Sequence, residues 1–347
     1  MYEAFFGFGE RPFQLTPNPR FLFLNSAHRE ALATLRYGLT SSLGITLLLG
    51  GAGTGKTTLL RAALRAEQRP ERRHAVLSNP TLPSADFFEI LGEKFGLPHT
   101  SGSKGRFLLA FERDLLERHR AGGLTTLVID EAQSLTLELF EEIRLLANLE
   151  TETAKLVNVV LVGQPELADR LNDASLRQFK QRVVLRCSLA PLDLESTASY
   201  IASRLRVAGA VAGEVFTKEA VRTIYEASRG VPRTIGVVCE NALLAGYAAQ
   251  RKPVDRAMVV DACRDLDLPV NGQPPREDGV VRDRDGVVPD QDVAVPKPPA
   301  PDEPQPRRAA SRSWFSSRRK ESRPESARVT DSEATVVTDR KRMFDFF

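Results

Sequence analysis

Ahead of residue 195, short aliphatic runs alternate with longer amphipathic stretches, which is the pattern of a parallel sheet with crossover helices. The aliphatic runs predict five strands, at residues 45–49, 74–77, 124–129, 156–162 and 182–187. The amphipathic stretches predict helices at residues 56–66, 85–95, 106–120, 137–149 and 165–180. The predicted fold class is therefore α/β, with a parallel sheet flanked by helices.

From Glu195 onward only helical patterns follow, at residues 195–207, 217–229, 232–249 and 254–266, and they predict a small all-helical domain. Composition changes near Leu268, because 11 of the 22 prolines lie at residue 269 or later. Such a segment buries too little apolar surface to offset its ordering entropy, so we expect a mostly disordered tail. We divide the chain into a leader or linker (1–40), an α/β domain (41–190), a helical domain (191–268) and the tail (269–347).

A glycine-rich loop follows the first predicted strand and reads GGAGTGKTT, which satisfies the P-loop pattern between a strand and a helix. Glycines allow the backbone to turn its N–H groups toward phosphate oxygens, and the helix N-terminus adds partial positive charge. We expect Lys56 to reach the β- and γ-phosphates of ATP and Thr57 to bind Mg²⁺. The alternative is a glycine-rich structural turn. The predicted nucleotide-binding residues of this loop are Gly50, Gly51, Ala52, Gly53, Thr54, Gly55, Lys56, Thr57 and Thr58.

Two acids, Asp130 and Glu131, end the third predicted strand. Ligands bind beyond the carboxyl ends of parallel strands, so both carboxylates are expected beside the P-loop. We expect Asp130 to hold Mg²⁺ and Glu131 to act as the general base that activates water. The alternative is a pair of acids that only favours a following helix N-terminus.

Polar residues near later elements complete the candidate site. Gln164 follows the fourth strand and is expected near the γ-phosphate, although Gly163 and Pro165 also suit a plain turn. Arg177 and Arg182 lie where the fifth helix meets the fifth strand, and Arg233 opens a helix of the helical domain. Arginine stabilises a transferring phosphoryl group from the same chain or from a neighbour. The alternative for each arginine is an ordinary solvated side chain.

Net charge and cysteine content limit the classes of binding partner and the cellular compartment that we expect for this protein. The 48 basic and 45 acidic residues leave a formal net charge of +3, too small to indicate a general polyanion-binding protein. The three widely spaced cysteines are typical of reduced thiols. No apolar run approaches the ~20 residues that span a bilayer, and no secretory signal opens the chain. We expect a cytoplasmic protein without a transmembrane segment.

Several ordered motifs resemble the AAA+ superfamily and, within it, the ExeA/GspA-like ATPases of general secretion. They are FQLTPNPRFLFL (13–24), HREAL (28–32), the P-loop (50–58), VIDEAQ (128–133), RLLANLET (144–151), VGQPEL (162–167), YIASRLRVAG (200–209) and GVPR (230–233). The resemblance spans about residues 1–268 and implies a nucleotide held between the α/β domain and a helical lid.

The same resemblance implies roles for individual residues. Gln164 and Arg233 match the positions of the two sensor residues, and Arg177 or Arg182 would act as an arginine finger across a homo-oligomer. Asn148 would help to position Glu131 or report the state of the nucleotide, and the alternative is an ordinary surface residue of a helix. The arginine-finger role requires a ring or another nucleotide-dependent assembly of the chain.

The tail departs from the secretion members of the family, which continue into a transmembrane helix and a peptidoglycan-binding domain. Two tail segments, 307–320 around Trp314 and 340–347, combine basic and aromatic residues. They suit an anionic membrane surface, nucleic acid or a protein groove, and the alternative is a plain linker. We therefore expect Mg²⁺-dependent ATP hydrolysis that drives assembly or remodelling of a partner complex in secretion or envelope export. The alternative is a nucleotide-switched regulatory ATPase that binds DNA or serves transposition.

Overall fold

Five parallel strands form one sheet in the order β2-β3-β4-β1-β5. The strands are β1 (Ile45–Gly50), β2 (Arg72–Leu77), β3 (Leu124–Ile129), β4 (Val157–Gly163) and β5 (Val183–Leu189). This architecture is seen in a computed structural model that describes residues 1–14, 18–78, 80–97 and 102–270. The predicted α/β class and its five-stranded parallel sheet are confirmed.

Thirteen α-helices lie in the described part of the chain. They are α1 (Tyr2–Phe6), α2 (Ser26–Thr40), α3 (Lys56–Ala66), α4 (Ser84–Lys94), α5 (Lys104–Arg120), α6 (Leu137–Leu146), α7 (Pro165–Arg170), α8 (Arg177–Lys180), α9 (Leu194–Val207), α10 (Ala212–Val215), α11 (Lys218–Ser228), α12 (Pro232–Ala248) and α13 (Arg256–Asp265). The first eight accompany the sheet or precede it, and the last five form the helical region.

Both faces of the sheet are covered, which explains its continuous aliphatic strands. In β4, Val159 and Leu161 pack into a cluster with α4, α5 and α6, whereas Val160 and Val162 pack against α2 and α3 on the other face. Alternate residues of a strand point to opposite faces, so every position of this central strand is buried. Strands β3, β4 and β1 are the three middle strands of the sheet, so their carboxyl ends lie side by side.

The N-terminal segment packs against the helical region. The aromatic residues Tyr2, Phe6, Phe8, Phe13 and Phe21 join the hydrophobic core of α9, α11, α12 and α13. Apolar periodicity is weak in so short a segment, so we expected only a leader or linker there. Further along, α2 lies on the sheet, because its Leu35 and Leu39 share a core cluster with α3. The division of the chain at residues 40, 190 and 268 stays a prediction.

The predicted helix 165–180 is wrong, because the structure divides it. Helix α7 ends at Arg170, a short 3-10 turn follows at Ala174–Leu176, and α8 begins at Arg177. The side chain of Asp173 accepts a hydrogen bond from the backbone N–H of Ser175 at 2.9 Å. Local side-chain bonds of this kind compete with the helical ladder, which is why the amphipathic pattern alone overestimated the length.

The tail segments 307–320 and 340–347 lie outside the described residues. Within the described ranges, no helix has the length and apolar character required to cross a membrane.

Candidate functional site

The loop between β1 and α3 forms a compact phosphate-sized cradle at the sheet edge. Gly53 and Gly55 have left-handed backbone angles, with φ values of 77° and 100°. Residues with a Cβ rarely adopt this conformation. The hydroxyl of Thr54 donates to the carbonyl oxygen of Gly51 at 2.8 Å and closes the turn. The loop therefore has the backbone curl that directs N–H groups toward an anion at the start of α3.

Lys56 extends back over this loop. Its ammonium donates to the carbonyl oxygens of Gly50 at 2.8 Å and Gly51 at 3.1 Å, and the residue is 6% exposed. Burial lowers the pKa of Lys56, while nearby carboxylates, above all that of Glu131, act in the opposite direction. A phosphate oxygen could replace these carbonyl partners without moving the lysine out of the site.

Thr57 and Asp130 bring two oxygen ligands together between α3 and the end of β3. The Thr57 hydroxyl donates to Oδ2 of Asp130 at 2.9 Å, and the backbone N–H of Glu131 donates to Oδ1 of Asp130 at 3.0 Å. A hydroxyl beside a carboxylate is the oxygen donor set that suits Mg²⁺. The residues predicted to hold Mg²⁺ thus fit that ion.

Glu131 has a left-handed backbone, with φ 55° and ψ 38°, which is uncommon for a residue with a side chain. Its Oε2 accepts a hydrogen bond from Nε2 of Gln133 at 2.6 Å, and Nε2 of Gln164 lies 3.5 Å away from the same oxygen. The prediction that Gln164 lies beside the acids therefore agrees with the geometry. Gln133 was not predicted as a site residue. Its position two residues after Glu131, in a tight turn, was the one sequence signal that could have indicated this contact.

A cavity of about 410 Å³ lies beside the P-loop. Its phosphate side is lined by Gly53, Lys56, Thr57, Glu131 and Gln164, and its opposite side by the N-terminal segment and the helical region. Arg233 of α12 also lines it and sits close to the P-loop, since its backbone N–H donates to the Gly53 carbonyl at 3.2 Å. The structure thus brings Arg233 to the site, as predicted.

Arg204 of α9 lies in the opposite wall of the cavity. It was not predicted as a site residue from the sequence. Its Nε donates to the carbonyl oxygen of Pro12 at 2.5 Å and one terminal nitrogen donates to the Tyr200 hydroxyl at 2.9 Å. Its guanidinium carbon lies 5.0 Å from the ring centroid of Phe21 and 5.9 Å from that of Phe13. The arginine therefore connects the N-terminal aromatic residues to α9 beside the cavity. No local sequence pattern predicts a contact between residues so far apart in the chain.

Three predicted residues lie elsewhere. Neither Arg177 nor Arg182 is among the described residues that line the cavity. The Arg182 carbonyl accepts from Ile45 N at 3.3 Å, at the amino end of β1. The six-residue β1 strand separates that end from the P-loop by about 20 Å. Asn148 follows α6, and its buried Oδ1 has no hydrogen-bond partner in the described part of the chain.

Comparisons with known proteins agree with this geometry. A family model described as an AAA domain matches residues 39–171. General secretion pathway protein A of Aeromonas hydrophila is 42% identical over 250 residues, which cover 72% of the chain and 45% of that relative. The chain is an AAA+ protein of the ExeA/GspA-like family. It spans less than half the length of that relative.

Similarities to three other proteins are weaker. An uncharacterized HTH-type transcriptional regulator of Methanocaldococcus jannaschii is 28% identical over 130 residues, or 35% of the chain and 32% of that protein. The ORC2 protein of Aeropyrum pernix matches in structure with a TM-score of 0.57 at 16% identity, covering 74% of the chain and 72% of ORC2. Cdc6p of Pyrobaculum aerophilum gives a TM-score of 0.54 at 18% identity, covering 69% and 66%. These two likenesses establish a shared AAA+ fold.

Proposed function

We propose that this AAA+ protein binds ATP with Mg²⁺ and hydrolyses it to ADP and phosphate. The observation that carries the proposal is the convergence of Lys56, the Thr57–Asp130 pair and Glu131 on one cavity. These groups are a phosphate-binding cation, a metal-binding oxygen pair and a candidate base, which together are what phosphoryl transfer to water requires.

Each group has a distinct task in this reaction. The loop N–H groups and Lys56 hold the β- and γ-phosphates, and Thr57 with Asp130 would hold the metal. Mg²⁺, when bound, neutralises charge on the phosphate oxygens. Glu131 accepts a proton from the attacking water, whose oxygen bonds to the γ-phosphorus as the bond to the β,γ-bridging oxygen breaks. Gln164 orients the water or the γ-phosphate.

The helical region acts as a lid in this proposal. Arg233 would contact the phosphates from α12, because it lines the cavity and its backbone is bonded to Gly53. Nucleotide binding would then fix the position of α12 relative to the P-loop. Such a contact is the physical means by which the state of the nucleotide reaches the partner complex.

We assign Arg177 or Arg182 to a neighbouring copy's site, in a nucleotide-dependent homo-oligomer. Arg177 is exposed and Arg182 is half-buried, and both lie away from the cavity of their own chain. The measurement is ATPase activity of mixed variants. Arg177→Ala or Arg182→Ala protein, inactive alone, should regain activity when mixed with inactive Lys56→Ala protein, because a subunit of the arginine variant keeps Lys56 and can receive the intact arginine of a Lys56→Ala neighbour.

The work done by hydrolysis is assembly or remodelling of a partner complex. The similarity to general secretion pathway protein A supports a secretion or envelope-export system as the partner. The basic and aromatic tail segments, 307–320 and 340–347, are proposed to contact that apparatus or the adjacent membrane surface from the cytoplasmic side.

The decisive test compares Lys56→Ala and Glu131→Gln with the parent protein. Loss of the Lys56 ammonium should abolish ATP binding, whereas Glu131→Gln should retain binding and lose turnover by about 100-fold or more. Binding is measured by titration with a fluorescent ATP analogue and turnover by phosphate release. If the Glu131→Gln protein hydrolysed ATP at the parent rate, the assigned mechanism would be wrong.

A second candidate is a DNA-binding regulatory ATPase, which the similarity to an HTH-type transcriptional regulator supports. Binding to duplex DNA should then depend on ATP and weaken steeply with salt. A mobility-shift titration between low and physiological salt tests this directly. No retardation at low salt, with ATP present, would remove this candidate.

A further inference from the structure

The side-chain amide of Gln133 bridges two parts of the site. Its Oε1 accepts a hydrogen bond from the backbone N–H of Gln164 at 3.1 Å, and its Nε2 donates to Oε2 of Glu131 at 2.6 Å. A backbone N–H can only donate, so the oxygen of the amide must face Gln164. The NH₂ group must therefore face the Glu131 carboxylate.

The surroundings hold Gln133 in this position. The guanidinium of Arg170 donates to the Gln133 carbonyl oxygen, and it also lies over the Phe140 ring, 5.2 Å from the centroid. A Cβ at Gly163 would lie 2.6 Å from Cδ2 of Leu167 and 3.1 Å from Oε1 of Gln133, so a side chain there would crowd the amide. The turn is thus built closely around the glutamine amide, and the amide has little freedom to leave it.

Glu131 depends on such a contact more than an ordinary carboxylate would. Its left-handed backbone is a conformation that persists only when the surrounding structure maintains it. A hydrogen bond from a neutral amide to a carboxylate is charge-assisted and short, and it selects one orientation of the carboxyl group. With Oε2 engaged by Gln133, Oε1 is the oxygen left to receive a proton from water.

We propose that Gln133 is a positioning residue that orients the Glu131 base and links that base to the Gln164 turn. This inference rests on the proposed ATP hydrolysis. Any movement of Gln164 toward a bound phosphate would shift the backbone N–H that fixes the Gln133 amide. The orientation of the base would thereby depend on the occupant of the neighbouring phosphate site.

The test uses Gln133→Ala and the isosteric Gln133→Glu in the full chain. Both variants should bind ATP within about twofold of the parent, and kcat should fall at least tenfold, equivalent to about 1.4 kcal/mol or more. Gln133→Glu can still accept from Gln164 but cannot donate to Glu131.

Gln68→Ala is the matched control, because Gln68 is an exposed glutamine two residues beyond the end of α3, and its substitution should leave kcat unchanged. A double-mutant cycle separates positioning from general damage. Under single-turnover conditions, Glu131→Gln combined with Gln133→Ala should be no slower than Glu131→Gln alone, because Gln133 acts through the missing carboxylate.

Three results would overturn the inference: parent kcat in both Gln133 variants, a loss of ATP affinity equal to the loss of kcat, or a further tenfold loss in the double mutant. A failure of the proposed function is recognised separately. In that case Glu131→Gln would hydrolyse ATP as fast as the parent, whatever Gln133 does.

Discussion

The two walls of the nucleotide cavity are built in different ways. The phosphate wall comes from the carboxyl ends of three neighbouring strands, β3, β4 and β1, and from the loop after β1. The opposite wall combines Phe13 and Phe21 of the N-terminal segment with Tyr200, Arg204 and Arg233 of the helical region.

The difference lies in how far along the chain the contacts reach. At the P-loop, Lys56 bonds to carbonyls five and six residues away, so a short sequence determines the geometry. On the opposite wall, the Arg204–Pro12 hydrogen bond spans 192 residues. Local contacts form at small entropic cost, whereas distant ones require the rest of the fold to be in place. We therefore expect mutations to affect the two walls unequally.

The largest effect is expected at Gly230, where the helical region meets the end of the sheet domain. Its φ is 73°, and a Cβ there would lie only 1.8 Å from the carbonyl oxygen of Leu192. Gly230→Ala should lower the free energy of unfolding by about 3–5 kcal/mol, from backbone strain and overpacking together. Urea titration measures the change.

Gly96→Ala is the control, because Gly96 has a φ of 66° and no atom within 4 Å of an added Cβ. It should cost about 1–2 kcal/mol from backbone strain alone. Equal losses in the two variants would show that the close approach of Gly230 to Leu192 contributes nothing to the loss of stability.

An intermediate effect is expected at Arg204. Arg204→Ala removes hydrogen bonds to Pro12 and Tyr200 and the stacking on the aromatic rings. We expect a loss of about 2–4 kcal/mol of unfolding free energy. ATP binding should weaken about tenfold, which corresponds to about 1.4 kcal/mol.

Arg206, on the same helix but exposed, provides the control for this prediction. Arg206→Ala should change stability by less than about 0.5 kcal/mol and leave ATP affinity unaltered. Unfolding and nucleotide titrations on both variants give the comparison, and an Arg204→Ala protein with parent ATP affinity would separate this wall from nucleotide binding.

The smallest effect is expected from ion pairs away from the cavity. Lys104 donates to Glu142 at 2.6 Å, and the Glu142 side chain is only 10% exposed. Lys104→Met should cost about 1–3 kcal/mol, because it leaves a buried carboxylate without its cation. Arg264→Met breaks an exposed ion pair with Asp261 on α13 and should lower the free energy of unfolding by less than about 0.5 kcal/mol. Thermal unfolding of both variants measures the two losses of stability, and a larger loss in Arg264→Met than in Lys104→Met would contradict this order.

Much of the phosphate wall could be predicted because its signals are short. The aliphatic runs defined the five strands, and the P-loop pattern and the two acids after β3 led to Lys56, Thr57, Asp130 and Glu131. Since parallel strands end at one edge, adjacent motifs could be expected to meet there. The Thr57–Asp130 contact joins residues 73 positions apart, yet Asp130 directly follows β3 and Thr57 follows the loop at the end of β1.

The remainder depended on contacts that no local pattern encodes. Helix 165–180 was predicted too long because a side-chain cap at Asp173 interrupts it. Gln133 was missed because a glutamine in a turn carries no signature of its partners until Gln164 and Glu131 are placed around it. The N-terminal aromatic residues had no strong periodicity of their own, so their burial followed only from the surface they meet.

The fold class of the sheet domain and the chemistry of the phosphate wall are encoded locally, because they follow from local periodicity and from a loop whose backbone needs particular residues. The side chains that close the cavity are set by long-range packing. The N-terminal segment, Arg204 and Gln133 acquire their positions from partners that lie far away in sequence or on neighbouring turns. Such packing is specified by the complementarity of the whole fold and not by any single stretch of it.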